Sequence, residues 1–403
     1  MLTAAASAGR WAKVLVVITE DWFALSHFVP LISELKALAA GVVVATRSSG
    51  RLGEVERLGV RARSFDMHRG SLNVALLKEV RDRLAALIDE EQPDAIHAIA
   101  MQPMIMTSLA LARARHRPAA VVLHLTGQGY LGSSRSPIAY LLRPLARAAL
   151  RHCAVRHATW LVAENSDDVG RMIRDGVAVP GRTAIVPGAG LDLARYPELP
   201  APCNHTVQVA FVGRMLRSKG PQVLVAAHRR LRARGVAIDL ALYGDADSGS
   251  REAIPKETLA AWNAECGITW HGRTGDIPGV WQTADIAAVP ALGGDGMPRA
   301  MLEAAACGRP LVVSDVAGCR HFVQPGVEGL VVPPGDAATL AEALARLAGD
   351  RAWRLRAGAA ARRRVLLCSE DAVRAKIRDV YCAAREQTGA SMVRDRTAAM
   401  PLA

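Results

Sequence analysis

The sequence has 403 residues, which is enough for two domains of ordinary size. Hydrophobic residues make up 51% and charged residues 22%, as in a soluble α/β protein with sizeable cores. The formal net charge of +12 indicates an anionic partner. Aromatic residues are only 4% and no basic segment alternates with aromatics, so we do not expect that partner to be nucleic acid.

The cysteines and the apolar segments bear on the compartment. The seven cysteines contain no Cys-x-x-Cys pair and no Cys/His spacing of a metal site, which is typical of reduced residues in a cytoplasmic protein. The apolar run from Val14 to Ile18 is shorter than the core of a signal peptide. The longest uncharged stretch, Ala95 to Ala112, contains His97, Gln102 and Pro103, so we predict a strand and a helix there rather than a membrane span.

The first half of the chain alternates short apolar strands with helices. The predicted strands are Lys13 to Ile18, Val42 to Thr46, Val60 to Phe65, Ala95 to Ala98, Ala120 to Leu125, Trp160 to Ala163 and Thr183 to Val186. The main helices predicted between them are Ser26 to Ala39, Asn73 to Glu91, Met104 to Arg115 and Ile138 to His157. Pro144 is expected to kink or divide the last of these. This alternation is typical of a parallel sheet covered on both faces.

The second half restarts the alternation after a proline-rich link near Pro197 to His205. Its predicted strands are Val207 to Val212, Asp239 to Tyr243, Ile268 to His271, Ile286 to Pro290, Leu311 to Ser314 and Gly329 to Val332. The predicted division is an N-terminal acceptor-binding domain at 1–198, a C-terminal donor-binding domain at 199–365, a helix at 366–390 that returns to the N-terminal domain, and a frayed tail at 391–403. Two doubly wound halves imply a cleft between them, where ligands of such sheets bind.

The segment with the most specific pattern is Gly293 to Pro310, GGDGMPRAMLEAAACGRP. A flexible glycine loop is followed by Pro298, which suits the first turn of a helix. Free N–H groups at a helix start attract an anion, and two carboxylates flank that start. Asp295 lies in the loop and Glu303 lies eight residues later inside the helix. On its own, the segment is also compatible with an ordinary amphipathic helix after a glycine loop.

A longer segment, Asp295 to Arg320, carries a family resemblance. Its sequence, DGMPRAMLEAAACGRPLVVSDVAGCR, resembles the Glu-x7-Glu region of the family-four nucleotide-sugar glycosyltransferases, which have the GT-B fold. The resemblance implies that Glu303 accepts hydrogen bonds from the ribose of the donor. Asp295 replaces the first glutamate of the pattern and is expected to face hydroxyls of the donor sugar. The donor-binding loop would continue through Gly296, Met297 and Pro298, because glycine permits close approach of a ligand.

The segment 211–220, FVGRMLRSKG, follows a predicted strand and opens a helix. It resembles the Gly-Arg…Lys-Gly segment with which the same family holds the donor diphosphate. Gly213, Arg214 and Lys219 are accordingly predicted to bind the diphosphate, and Arg217 is predicted to be a solvated neighbour. Cations and helix-start amides stabilise the charge that develops on a leaving nucleoside diphosphate without a metal.

Two further segments concern metal and base binding. Asp245-Ala-Asp247 has the pattern of an Asp-x-Asp metal motif, but it lies where the resembled family has a turn after a strand, so we predict a surface turn. That family needs no metal, and we expect neither a metal nor another cofactor. His271-Gly-Arg273 matches the base-binding edge of the family, which implies that Arg273 lies beside the donor base.

The first half contains a basic region that is free of acidic residues. Ala95 to Ala163 has no Asp or Glu but eight arginines. Arg143, Arg147 and Arg151 recur every four residues and would share one helix face, with leucines beside them. Such a helix suits an anionic membrane surface or a lipid-diphosphate acceptor. A solvated helix face in an arginine-rich protein is the alternative interpretation.

Several residues of the first half are predicted to face the acceptor. His97 ends a strand in PDAIHAIA, which matches the Pro-Asp-x-x-His of the family, and is a catalytic candidate unless it is structural. The loop TGQGY resembles that of members that build bacterial surface polysaccharides on lipid carriers. Its predicted acceptor-side residues are Thr126, Gly127, Gly129 and Tyr130. The loop after the first strand lacks the glycines of the family, so His27 at the next helix is added to this set.

Together these observations predict a GT-B glycosyltransferase of the hexosyltransferase type. It would move a sugar from a nucleoside diphosphate, UDP by preference, to an acceptor hydroxyl on a lipid-linked saccharide in polysaccharide biosynthesis. The resemblance implies retention of anomeric configuration, with front-side attack and the leaving diphosphate as proton acceptor. We expect a cytoplasmic protein, peripheral at the inner face of the plasma membrane if the basic helix binds lipid.

Two alternatives of other classes stay open. One is a non-hydrolysing UDP-sugar epimerase, which has the same fold and would turn over donor without an acceptor. The other is a catalytically weak nucleotide-binding subunit, which Asp295 in place of glutamate and the missing first glycine loop would suit.

Overall fold

The computed structural model describes residues 10–68, 73–127, 137–247, 250 and 252–398. The chain forms two compact units. Unit 1 consists of the residues up to Gly190 together with those from Asp371 onward, and unit 2 is Leu191–Glu370. The structural boundaries thus lie at 190/191 and 370/371, where the sequence analysis places them at 198/199 and 365/366.

Unit 1 is built on a seven-stranded parallel sheet in the order β3-β2-β1-β4-β5-β6-β7. The strands are β1 Trp11–Glu20, β2 Ala39–Arg47, β3 Arg61–Ser64, β4 Ala95–Ile99, β5 Ala120–Leu125, β6 Thr159–Ala163 and β7 Thr183–Ile185. Their centres are almost entirely apolar, because helices cover both faces of the sheet.

The helices of unit 1 follow the predicted alternation with local differences. They are α1 Asp21–His27, α2 Val29–Leu38, α3 Leu52–Arg57, α4 Val74–Glu91, α5 Met101–Leu111, α6 Pro137–Arg156 and α7 Ser166–Arg174. The single helix predicted from Ser26 is two helices, because Pro30 has no N–H to continue α1 and instead sits in the first turn of α2. Pro144 lies inside α6 and does not divide it.

The last helix of the chain, α15 Glu370–Ala398, contributes to unit 1. Its Ile377 and Tyr381 are buried in the cluster that covers one face of the sheet. Arg378 donates to both carboxylate oxygens of Glu34 on α2, at 2.7 and 3.1 Å. The helix extends into the segment predicted to fray after residue 390, because no proline interrupts its run of helix-forming residues.

Unit 2 contains a six-stranded parallel sheet in the order β10-β9-β8-β11-β12-β13. The strands are β8 Val207–Val212, β9 Ile238–Tyr243, β10 Ile268–Gly272, β11 Ile286–Val289, β12 Leu311–Ser314 and β13 Gly329–Val332. The direction of strand addition reverses between β8 and β11. In open parallel sheets, ligands bind outside the carboxyl ends of the strands at such a reversal.

Helices cover both faces of this second sheet as well. They are α8 Pro221–Ala233, α9 Lys256–Asn263, α10 Ile277–Thr283, α11 Arg299–Ala306, α12 Ala317–Arg320, α13 Ala337–Gly349 and α14 Arg351–Val365. The predicted fold class, two doubly wound parallel sheets, is confirmed. Within the described part of the chain, no helix is both long and apolar enough to cross a membrane.

Candidate active site

The predicted diphosphate-binding segment follows β8, at the reversal of the sheet in unit 2. The N–H of Gly213 donates to the carbonyl of Tyr243 at 2.9 Å, which joins the ends of β8 and β9. A 3-10 turn, Arg217–Lys219, then leads into α8. The N–H of Leu292, in the loop after β11, donates to the carbonyl of Ser218 at 2.8 Å. The turn that carries Lys219 is therefore fixed to the loop that carries Asp295.

Lys219 and Asp295 form an ion pair. The ammonium Nζ lies 2.5 Å from each carboxylate oxygen of Asp295. The two side chains are 24% and 25% exposed, so water reaches the pair but does not surround it. The structure thus brings together two predicted site residues that are 76 positions apart in the sequence. Asp295 therefore holds the predicted phosphate-binding cation in place.

Arg214 has a carboxylate partner of its own. Its Nη1 lies 2.9 Å from Oδ2 of Asp247, with the Arg214 side chain exposed and that of Asp247 partly buried. The Asp-Ala-Asp segment follows β9, and Asp247 adds an ion pair that the sequence did not indicate. Both cations are thus paired with carboxylates, and an arriving diphosphate would compete for them through stronger charge-assisted hydrogen bonds.

Gly220 shapes the start of α8. Its φ is +78°, and a Cβ at this position would lie 1.9 Å from the carbonyl oxygen of Pro290. Only glycine therefore allows the first turn of α8 to approach the end of β11 so closely. The helix begins without a side-chain cap. Its uncapped first turn adds positive potential beside Lys219.

Glu303 lies on α11 and is buried. Its Oε1 accepts hydrogen bonds from the Tyr196 hydroxyl at 2.8 Å and from Arg299 Nε at 2.9 Å. Burial, and then the neighbouring Glu303 carboxylate, raise the pKa of Tyr196 to about 12, so the hydroxyl stays protonated and donates. Sequence reasoning missed Tyr196, because it lies 107 residues before Glu303, just ahead of the proline-rich link. Arg299 sits four residues before Glu303, a helical spacing that could have signalled the pair.

The loop before α11 packs directly on α12. A Cβ on Gly318 would lie 2.0 Å from the Gly296 carbonyl oxygen, which explains why glycine occupies that turn. Cys319 beside it is fully buried, and burial, then Asp295, raise the pKa of its thiol. Met297 is partly buried against the core, and Pro298 is the N-cap of α11. The loop that carries Asp295 is therefore held in place by its contact with α12.

The edge predicted to bind the base lies at the end of β10. Arg273 is exposed in the loop that follows this strand. The rings of Tyr243 and His271 stack with centroids 4.4 Å apart and planes 6° from parallel. The N–H of Gly244 donates to the carbonyl of Gly272 at 2.7 Å. Arg273 thus lies at the same carboxyl edge of the sheet as Arg214 and Lys219.

His97 lies in the core of unit 1. The ring is fully buried, with Nδ1 3.0 Å from the Tyr381 hydroxyl and Nε2 3.1 Å from His124 Nδ1. Burial lowers the pKa of both histidines, that of His124 to about 3, so both rings are neutral at neutral pH. A ring that does not reach the surface cannot touch an acceptor hydroxyl, so this environment corrects the catalytic role predicted for His97 to a structural one.

His27 is the last residue of α1. Its ring packs on Phe23 with centroids 4.9 Å apart, and its Nδ1 lies 2.7 Å from the Ser26 hydroxyl. In place of a glycine loop after β1, the buried Asp21 accepts from the N–H of Ser49 at 2.7 Å and from its hydroxyl at 2.5 Å. A carboxylate therefore orders this loop, which explains how it forms without the glycines that the family pattern expects.

The other predicted acceptor-side residues lie along β5 and α6. Thr126 and Gly127 directly follow β5, whereas Gly129 and Tyr130 lie outside the described residues. On α6, the Arg143 guanidinium lies 5.4 Å from the centre of the Tyr140 ring. Arg147 pairs with Asp175 at 3.3 Å. The described members of this set lie on unit 1, and their role in acceptor binding stays a prediction.

Two doubly wound units, one with paired cations and carboxylates at its strand reversal, are the organisation of enzymes that use nucleotide-linked sugars. A family model described as "Glycosyl transferases group 1" matches residues 206–350, within unit 2. A second, described as "Glycosyl transferase 4-like", matches residues 13–159, within unit 1. Together the two matches span most of the chain. The chain belongs to the family-four glycosyltransferases of the GT-B fold, as the sequence resemblance predicted.

Curated relatives include D-inositol 3-phosphate glycosyltransferases. That of Salinispora arenicola is 32% identical over 262 residues, which cover 59% of this chain and 58% of the relative. That of an Arthrobacter species is 36% identical over 155 residues, which cover 38% of this chain and 36% of the relative. The chain thus spans little more than half the length of the first of these relatives.

Solved structures share the fold over almost the whole chain. Anabaena HepE, solved in complex with UDP and glucose, has a TM-score of 0.72 at 18% identity and covers 92% of this chain and 100% of its own. Sucrose-phosphate synthase from Thermosynechococcus elongatus has a TM-score of 0.73 at 19% identity and covers 94% and 100%. At these identities the likeness concerns the fold, and it confirms GT-B.

Proposed function

We propose that this protein transfers a sugar from a UDP-linked donor to an acceptor hydroxyl, with retention of configuration and without a metal. The observation that carries the proposal is the pair of cations at the strand reversal of unit 2. Arg214 and Lys219 follow β8, and each is held by a carboxylate. A nucleoside diphosphate is the leaving group that such cations stabilise as negative charge develops on it.

The first step of the proposed reaction is an exchange of partners. The donor diphosphate displaces Asp295 from Lys219, and Asp247 from Arg214, because phosphate oxygens carry more charge and accept more hydrogen bonds. Asp295 then becomes available to accept hydrogen bonds from the hydroxyls of the donor sugar. Since both partners of the Lys219 pair are about one-quarter exposed, the exchange requires no opening of the core.

Glu303 would hold the ribose of the donor. A carboxylate offers about four acceptor positions, and Tyr196 and Arg299 together use two on Oε1. Their bonds fix the orientation of the carboxylate, so the remaining positions are preorganised for ribose hydroxyls. This arrangement supports a binding role for Glu303, with Tyr196 and Arg299 as its positioning partners.

The choice of donor, acceptor and compartment rests on separate support. HepE has been solved with UDP-glucose, which favours UDP over other nucleotides. The resemblance of the loop at Thr126 favours a lipid-linked saccharide as acceptor, whereas the curated relatives are named D-inositol 3-phosphate glycosyltransferases. The seven cysteines contain no Cys-x-x-Cys pair, which favours a reducing, cytoplasmic compartment.

The test is nucleotide release from a panel of UDP-, GDP- and ADP-sugars, with and without a membrane lipid extract. Release of UDP that depends on the extract would support the proposal and identify the donor. Isomerisation of the sugar without extract would instead indicate an epimerase. If UDP raises the melting temperature but nothing is released, the protein is a binding subunit, and Asp295→Glu would be the first substitution to test for recovered turnover.

A further inference from the structure

Helix α6 exposes large apolar side chains on its outer face. Tyr140 and Leu141 are each 72% exposed, Leu145 is 67% exposed and Val155 is 82% exposed. Single exposed apolar residues are common on protein surfaces, but a surface helix ordinarily turns such residues towards the core. Four of them on one helix therefore indicate a surface that is covered in use.

The four side chains share one face of the helix. At 3.6 residues per turn, their directions fall within an arc of about 140° around the helix axis. The opposite arc contains Leu150 and Cys153, which are buried in the core of unit 1. Helix α6 is thus apolar on two sides: the inner side packs on the unit, and the outer side meets solvent.

Positive charge borders the outer apolar face, and α6 contains no acidic residue. Arg151 and Arg156 are exposed, and Arg143 lies over the Tyr140 ring. Arg147 pairs with Asp175, which directly follows α7. A helix that exposes apolar side chains beside arginines and has no acidic residue of its own has the chemistry of an interfacial helix.

We propose that the outer face of α6 docks on an anionic lipid bilayer. Tyr140, Leu141 and Leu145 would enter the boundary between headgroups and acyl chains, and the arginines would contact lipid phosphates. A protein partner of the same apolar character would not by itself require the flanking positive charge. The proposal does not depend on sugar transfer, because docking needs no donor and can be measured in its absence.

The test is flotation of the full chain with vesicles of phosphatidylcholine alone and of phosphatidylcholine mixed with phosphatidylglycerol. We expect binding to the anionic vesicles, weak binding to the neutral ones, and a loss of binding as salt screens the charges. Leu141→Ser and Leu145→Ser should each lower the partition coefficient about tenfold, because each removes one inserted leucine. Arg151→Gln should lower it about fivefold.

Unit 2 offers matched controls. Leu367 is 68% exposed there, and Arg363 is exposed on α14. Leu367→Ser and Arg363→Gln make the same chemical changes outside α6 and should leave vesicle binding unchanged. Equal melting temperatures and an unchanged stabilisation by UDP would show that the α6 variants are folded and that the donor site is intact.

Three outcomes would overturn the proposal. The first is no binding to anionic vesicles by the wild-type chain. The second is an equal loss of binding in the α6 variants and in the unit 2 controls. The third is self-association without lipid that Leu141→Ser and Leu145→Ser abolish while vesicle binding persists, because the outer face of α6 would then be a contact between copies of the chain. A failure of nucleotide release would leave these results unaffected.

Discussion

The substitution Lys219→Ala separates the catalytic role of this cation from its structural role. In the structure, Lys219 Nζ contacts both oxygens of Asp295 at 2.5 Å, and the pair is about three-quarters buried. Its removal leaves Asp295 within reach of water, so the unpaired carboxylate is not stranded in an apolar core. We expect the free energy of unfolding to fall by only about 1 kcal/mol, as for partly exposed ion pairs.

The effect on turnover should be much larger. A positioned cation on the leaving diphosphate is worth about 3 kcal/mol of barrier. This corresponds to a decrease in kcat/KM of more than a hundredfold, at about tenfold for each 1.4 kcal/mol. The expected rise in the activation barrier thus exceeds the expected fall in the free energy of unfolding by roughly 2 kcal/mol, a difference that kinetic and unfolding measurements can resolve.

The assay is UDP release with the best donor of the panel, together with urea unfolding of the same preparations. Arg217→Ala is the matched control, because Arg217 is an exposed cation on the same 3-10 turn. It removes the same charge and should change kcat/KM by about twofold or less. Turnover of Lys219→Ala within a few-fold of wild type would refute the assignment, as would an equal loss in Arg217→Ala.

Three further predictions concern the donor site and the buried core of unit 1. Gly220→Ala should lower the free energy of unfolding by roughly 3 kcal/mol and abolish stabilisation by UDP, because the added Cβ would clash with the Pro290 carbonyl. Gly275→Ala is the control, because a Cβ there would enter open space, and it should leave the melting temperature and its shift by UDP unchanged. Tyr196→Phe removes the hydroxyl that donates a hydrogen bond to Glu303. The loss of about 1 kcal/mol of binding free energy should raise the KM for the nucleotide sugar several-fold, with kcat nearly constant. An unchanged KM would argue against ribose binding by Glu303. Burial lowers the pKa of His124 from 6.5 to about 3, so the unfolded chain takes up a proton near pH 5 that the folded chain excludes. The free energy of unfolding, measured in urea, should therefore fall by roughly 2 kcal/mol between about pH 7 and about pH 5. A stability that does not change with pH would contradict this.

Much of the fold was predictable, because parallel strands buried on both faces leave a strong signal in sequence. Runs such as Val14 to Ile18 and Leu311 to Ser314 are short, apolar and bounded by turns, and each proved to be a strand. The motif from Asp295 to Glu303 was likewise predictable, since a glycine loop, a proline and a helix with a buried carboxylate follow each other within one local segment.

The pairings within the site were harder to predict, because they join distant segments. The sequence around Asp295 does not indicate that Lys219 is its partner, and the sequence around Glu303 does not indicate Tyr196. The first contact depends on the β8–β11 reversal, and the second depends on the path of the chain just before the proline-rich link. Local sequence patterns encode neither of these. The catalytic role predicted for His97 was wrong, because a distant helix covers the residue. The helix that carries Tyr381 buries the end of this strand, and a polar residue at a strand end does not reveal such a contact in the sequence.

Sugar transfer is tested by the ratio of UDP released to sugar transferred. The donor that the panel identifies would be labelled in its sugar and incubated with the lipid extract, and UDP release and label in the lipid phase would be measured together. We expect one UDP released for each sugar transferred, with both signals lost in Lys219→Ala. Isomerised sugar still attached to UDP, or UDP bound with neither release nor transfer, would contradict it.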